Sequence, residues 1–109
     1  MDIDFQQVLQ SLKQGIIGIA EKDLKDYVTA ATADGQAILR GLEGDLENWT
    51  KQLAAGGMNK SEFTDLVLGQ KDEIELAALK QAGLAQIAVD QFKQDTFNLI
   101  TNAITALIP

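Results

Sequence analysis

The chain has 109 residues, of which 46% are hydrophobic, with 16 acidic against 9 basic residues and neither cysteine nor histidine. This length predicts a single domain over residues 1–109. The missing cysteines exclude disulfide scaffolds and thiolate chemistry, and the missing histidines remove the commonest general base and metal ligand. The net charge of −7 disfavours binding to nucleic acid. An acidic start, unlike the basic start of a secretory leader, favours a cytoplasmic protein.

The first predicted element is a short amphipathic helix over about residues 4–20. Asp4 is its candidate N-cap, and Gly15 and Gly18 weaken its second half. The apolar side chains recur at steps of three and four residues, which is typical of one buried helix face. They are Phe5, Val8, Leu9, Leu12, Ile16 and Ile19.

The second predicted element is a long helix over about residues 21–55. Its apolar seam follows a mostly heptad spacing, which favours packing along a neighbouring helix as in a coiled coil. The seam consists of Leu24, Val28, Ala31, Gly35, Ile38, Leu42, Leu46, Trp49 and Leu53. Gly41 and Gly44 coincide with an extra four-residue step, so a kink or a helix end between them is the alternative.

The third predicted element is a short helix over about residues 60–69, after the break at Gly56 and Gly57. Asn59 or Ser61 is its candidate N-cap, and Gly69 is placed to end it.

The last predicted element is a long helix over about residues 71–107, antiparallel to the second. Two apolar stripes run along it, and no charged residue follows Asp95, so the helix needs neighbours on two sides. As helix, this uncharged end spans about 20 Å, which is short of the ~30 Å hydrocarbon core and excludes a membrane span.

Together these elements predict an all-α fold, an elongated bundle of two long antiparallel helices and two short ones. Two interpretations of the apolar end are open. The N-terminal helix covers it within one chain, or another chain does. Helices of about 50 Å are long for a small globule, which favours self-association.

Candidates for catalysis or metal binding are few. The pairs Asp23 with Asp26 and Glu43 with Glu47 are interpreted as solvated surface acids. Asp34 stands alone beside a glycine and does not begin a calcium loop. The sequence therefore predicts no enzyme, no metal site and no cofactor.

We expect a helical structural or interaction protein that self-associates or docks a protein partner through apolar helix faces. The candidate interface residues are Leu24, Val28, Ile38, Leu42, Leu46, Trp49, Leu53, Phe92, Phe97, Leu99, Ile100, Ile104, Leu107 and Ile108. The alternative is a carrier of a lipid or another apolar small molecule, held between helices lined by Phe92, Leu99 and Ile104. A third class, an adaptor that binds another protein through its acidic surface, also fits the net charge.

Overall fold

A computed structural model describes residues 3–108, and all regular structure within them is helical. The predicted all-α fold is confirmed. The α-helices are α1 (Phe5–Asp23), α2 (Val28–Ala54), α3 (Lys60–Gly69), α4 (Ala77–Gln81) and α5 (Gln86–Thr105), with single 3₁₀ turns at Lys25–Tyr27 and Lys71–Glu73.

Helix α1 begins at the predicted cap and is longer than predicted. The Asp4 carboxylate accepts hydrogen bonds from the backbone N–H groups of Gln6 and Gln7 at 3.1 and 3.4 Å, which satisfies donors that have no partner within the helix. The helix ends at Asp23, so the first residues assigned by sequence to the second helix belong to α1.

Helix α2 is a single helix of 27 residues that runs through Gly41 and Gly44 without a break. The predicted seam faces the core, where Ile38, Leu42 and Leu46 are at most 2% exposed. The predicted alternative of a break at these glycines is therefore wrong. Neither glycine has a neighbour within 4 Å of the position a Cβ would take, so both lie on an open helix surface.

Capping residues define the connection between α2 and α3. Gly56 has a φ of +83°, and the N–H of Gly57 donates to the carbonyl of Gln52 at 2.8 Å, which is the bonding of a Schellman helix end. Asn59 and Glu62 then form a reciprocal capping box at the start of α3. The predicted helix over residues 60–69 is confirmed.

The predicted long helix over residues 71–107 is wrong, because the chain breaks twice within it. After the 3₁₀ turn at Lys71–Glu73, Ile74 is extended, with φ −113° and ψ 128°. The five-residue α4 follows, and Gly83, with a φ of +91°, ends it in a second Schellman arrangement. Helix α5 begins only at Gln86 and has 20 residues.

Helix α1 packs antiparallel against both α2 and α5. Ile16 meets Gly35 in the second half of α1, while Phe5 shares a groove with Thr50 near the end of α2. Along α5, Gly15 meets Leu99 and Val8 lies near Leu107. The apolar end of α5 is therefore covered largely by α1, in the same chain.

The bundle measures 43 × 24 × 19 Å, which agrees with the predicted elongated shape. The core is apolar along its length, with Leu12, Leu46, Phe63 and Phe97 at most 1% exposed. The one ion pair between described residues joins Lys51 to Glu47 on the surface, at 3.9 Å. Such exposed pairs contribute little to stability, so apolar packing holds the helices together.

Two glycine substitutions test whether tight α1–α2 packing depends on Gly35. We expect Gly35→Ala to lower the free energy of unfolding by about 1–3 kcal/mol, because the new Cβ would collide with Cγ2 of Ile16. Gly41→Ala is the matched control on the same helix. It should raise stability by about 0.4–1 kcal/mol, since its Cβ meets open space. Urea unfolding measures both, and equal effects would contradict the packing argument.

Candidate interaction surface

Most of the predicted interface residues lie in the core of a single chain. Nine of the fourteen are at most 9% exposed: Leu24, Ile38, Leu42, Leu46, Leu53, Phe92, Phe97, Ile100 and Ile104. Their own chain covers them, so they have almost no surface to offer a partner. Four more, Val28, Trp49, Leu99 and Ile108, are half-buried, and Leu107 is 43% exposed. Only these five retain area for an intermolecular contact.

The three residues expected to line a lipid groove do not line one. Phe92 is 2% exposed and Ile104 is fully buried. Leu99 fills the space above Gly15, where a Cβ would lie only 2.8 Å from its Cδ2 atom. These side chains are packed against neighbouring helices, so an apolar ligand would have to bind elsewhere.

The predicted surface acids make no metal site among the described residues. Asp23, Asp26 and Glu43 are exposed, and Glu47 pairs with Lys51. No three acidic side chains within residues 3–108 lie close enough together to hold a metal ion.

Asp34 is the buried acid that sequence reasoning passed over. It is 5% exposed, and its two carboxylate oxygens accept hydrogen bonds from the backbone N–H groups of Ala78 and Leu79 at 3.0 and 2.8 Å. Asp34 thus caps α4 from α2. Nothing in its sequence neighbourhood signals this role, since its partners lie 44 and 45 positions further along the chain.

Three threonine hydroxyls are also buried, without a hydrogen-bond partner among the described residues. They belong to Thr50, Thr96 and Thr101. By contrast, the hydroxyl of Thr105 donates to the carbonyl of Thr101 at 2.9 Å. A buried hydroxyl without a partner costs free energy, so these three reduce stability.

An open groove lies where α1 begins and α5 ends. Its volume is about 300 Å³. It is lined by Ile3, Asp4, Gln7, Val8, Ser11, Ala103 and Leu107. A smaller groove of about 170 Å³ lies on the other side of Ile3 and Phe5, against the end of α2. Two predicted interface residues thus line accessible grooves: Leu107 lines the groove of about 300 Å³, and Val28 lines another of about 500 Å³ at the beginning of α2.

The surface around the groove lined by Leu107 carries almost no charge. On α1, Gln14 follows Gln7 and Ser11 along one helix face, and on α5 Asn102 and Ala106 are the exposed neighbours of Ala103. We call this surface the α1–α5 face and define it by Gln7, Ser11, Gln14, Asn102, Ala103, Ala106 and Leu107. The exposed Asp4, whose carboxylate caps α1, also lines the groove. Helix α1 carries two lysines: Lys13 lines a separate groove with Arg40 and Glu43 of α2, and Lys22 lies in the last turn of α1.

Two other large apolar side chains are exposed outside these grooves. Ile87, in the first turn of α5, is 85% exposed, and Leu66 on α3 is 38% exposed. Neither lines any of the grooves described above, and isolated apolar side chains are normal on protein surfaces.

Comparisons with protein-family models, with curated proteins and with solved structures give no match for this chain. Within residues 3–108, every helix is too short or too polar to cross a lipid bilayer.

Replacing a buried hydroxyl tests the cost of the polar groups in the core. We expect Thr96→Val to raise the free energy of unfolding by about 1 kcal/mol, because valine has nearly the same shape and leaves no polar atom without a partner. Thr105→Val should not stabilise, since it removes the hydrogen bond to Thr101. Urea unfolding compares the two, and a destabilised Thr96 variant would show that this hydroxyl has a partner in solution.

Proposed function

We propose that this chain is a non-enzymatic helical protein that self-associates through the α1–α5 face. The observation that carries the proposal is the scarcity of charge on this face: in a chain with a net charge of −7, Asp4 is the one charged residue that lines its groove. Two copies repel each other when charged surfaces meet. The centre of a protein interface is typically depleted of charged residues.

The shape of the face supports a contact between two copies. Leu107 projects with 43% of its surface exposed beside a groove that Val8 and Ala103 line. In a two-fold symmetric dimer, the same surface meets itself, so Leu107 of each copy lies against the groove of the other. Small side chains such as Ser11 and Ala103 allow the helices to approach closely.

An apolar small molecule is the second candidate occupant of the same groove. A volume of about 300 Å³ lies at the lower limit of typical ligand pockets, which hold roughly 300–1,000 Å³. The ligand would therefore be short, and Val8 and Leu107 would contact it in place of the residues expected from sequence. We keep the cytoplasm as the proposed location.

A charge placed in the groove tests self-association. We expect the wild-type chain to have a mass at least twice that of one 11.8 kDa chain, both in native mass spectrometry and in sedimentation. Leu107→Glu should weaken association at least tenfold, because a desolvated carboxylate would be buried at the contact. Ile87→Glu is the matched control, since it also replaces an exposed apolar residue and lies outside the α1–α5 face.

The outcomes separate the candidate functions. If the wild-type chain is a monomer with additional bound mass that Leu107→Glu removes, the groove binds a ligand. A bare monomer at the highest soluble concentration would contradict self-association, and equal weakening by Ile87→Glu would move the contact away from the α1–α5 face. Ile104 is unsuitable for this test because it is fully buried, and a charge there would unfold the chain under either function.

A further inference from the structure

The segment between the 3₁₀ turn at Lys71–Glu73 and α5 contains the shortest α-helix among the described residues. It contains α4 and the turns on either side, and we call residues 75–84 the strap. Its described backbone hydrogen bonds are internal: Lys80, Ala82 and Gly83 donate to Leu76, Ala78 and Lys80. A helix of five residues is not stable on its own in water, so the strap stays folded through its contacts with other elements.

Two hydrogen bonds and a few apolar side chains join the strap to the other elements. The two hydrogen bonds that join the strap to another described element both end on the Asp34 carboxylate. Two side chains of the strap are buried in the core, Leu76 at 3% and Leu79 at 0% exposure, and the partly buried Leu84 packs against it. The side chains on its outer surface, such as Lys80 and Gln81, are exposed.

The strap also has open space beside it. A groove of about 500 Å³ separates it from the beginning of α2 and is lined on one side by Ala78 and Ala82 and on the other by Tyr27, Ala30 and Ala33. Segments with few buried contacts and few hydrogen bonds to the core open at lower free energy than the whole domain.

We propose that the strap opens as a unit while α1, α2 and α5 stay folded, and that Asp34 is the latch that keeps it closed. Opening exposes Leu76 and Leu79 together with the surface of α2 beneath them. A buried carboxylate that accepts two N–H groups suits this role, because it is well paired only when the strap is closed and is solvated when it is open. This inference is independent of the proposed self-association.

Hydrogen exchange on the wild-type chain tests the opening directly. The amides of Leu79, Ala82 and Leu84 should exchange at least tenfold faster than those of Leu12 and Ile16 in α1, with a weaker dependence on urea. Equal rates with equal urea dependence would mean that the strap opens only when the whole chain unfolds, which would overturn the proposal. This measurement needs no variant.

A core substitution separates local opening from global unfolding. Leu9→Ala removes a buried side chain of α1 that lies away from the strap, so it should accelerate exchange in α1 at least tenfold and leave the strap amides unchanged. If the strap amides accelerate by the same factor as those of α1, the strap is not an independent unit.

Substitution of the latch completes the test. Asp34→Asn replaces one acceptor oxygen by an NH₂ group that faces a backbone N–H, so it should accelerate exchange of the strap amides at least tenfold. Asp45→Asn is the matched control, an exposed aspartate on the same helix, and should change nothing. Unchanged strap exchange in Asp34→Asn would overturn the role of Asp34 as latch.

Discussion

The close packing of α1 between α2 and α5 is the constraint on which the rest of the structure depends. Two glycines permit it, because a side chain at Gly35 would collide with Ile16 and one at Gly15 would collide with Leu99. Helix α1 thereby covers the apolar side of both neighbours. As a result, the uncharged end of α5 is mostly buried within its own chain. The part of it that stays accessible is the groove lined by Leu107.

Sequence periodicity predicts helices well and their interruption poorly. The seam of α2 is correct because its spacing reflects one buried face. Within residues 71–107, apolar steps of three and four continue through Leu76, Leu79, Gly83 and Ile87, so local spacing does not reveal the break. Of the two breaks, the first precedes α4, which Asp34 caps from a position far away in sequence, and the second lies at Gly83. Glycines show the same limit, since Gly35 packs tightly, Gly83 ends a helix and Gly41 does neither.

Only part of the candidate interface could be predicted from the sequence. Hydrophobic spacing identifies residues that avoid water, and it does not say which chain covers them. Most of the predicted interface residues are therefore core residues, while Leu107 remains accessible. A different signal in the sequence pointed to the α1–α5 face. It is the absence of charged residues after Asp95.

The α1–α5 face and the strap lie at opposite ends of the bundle, and α2 connects them. The strap adjoins the first turns of α2 near Ala30 and Ala33, whereas the grooves beside Ile3 adjoin the last turns near Thr50 and Ala54. Coupling between two such sites requires an element with two arrangements. An unbroken helix of 27 residues, fixed to α1 at Gly35, provides one arrangement. Association involves α1 and α5, and opening of the strap takes place against the beginning of α2. A mutation that affects one of the two should therefore leave the other unchanged.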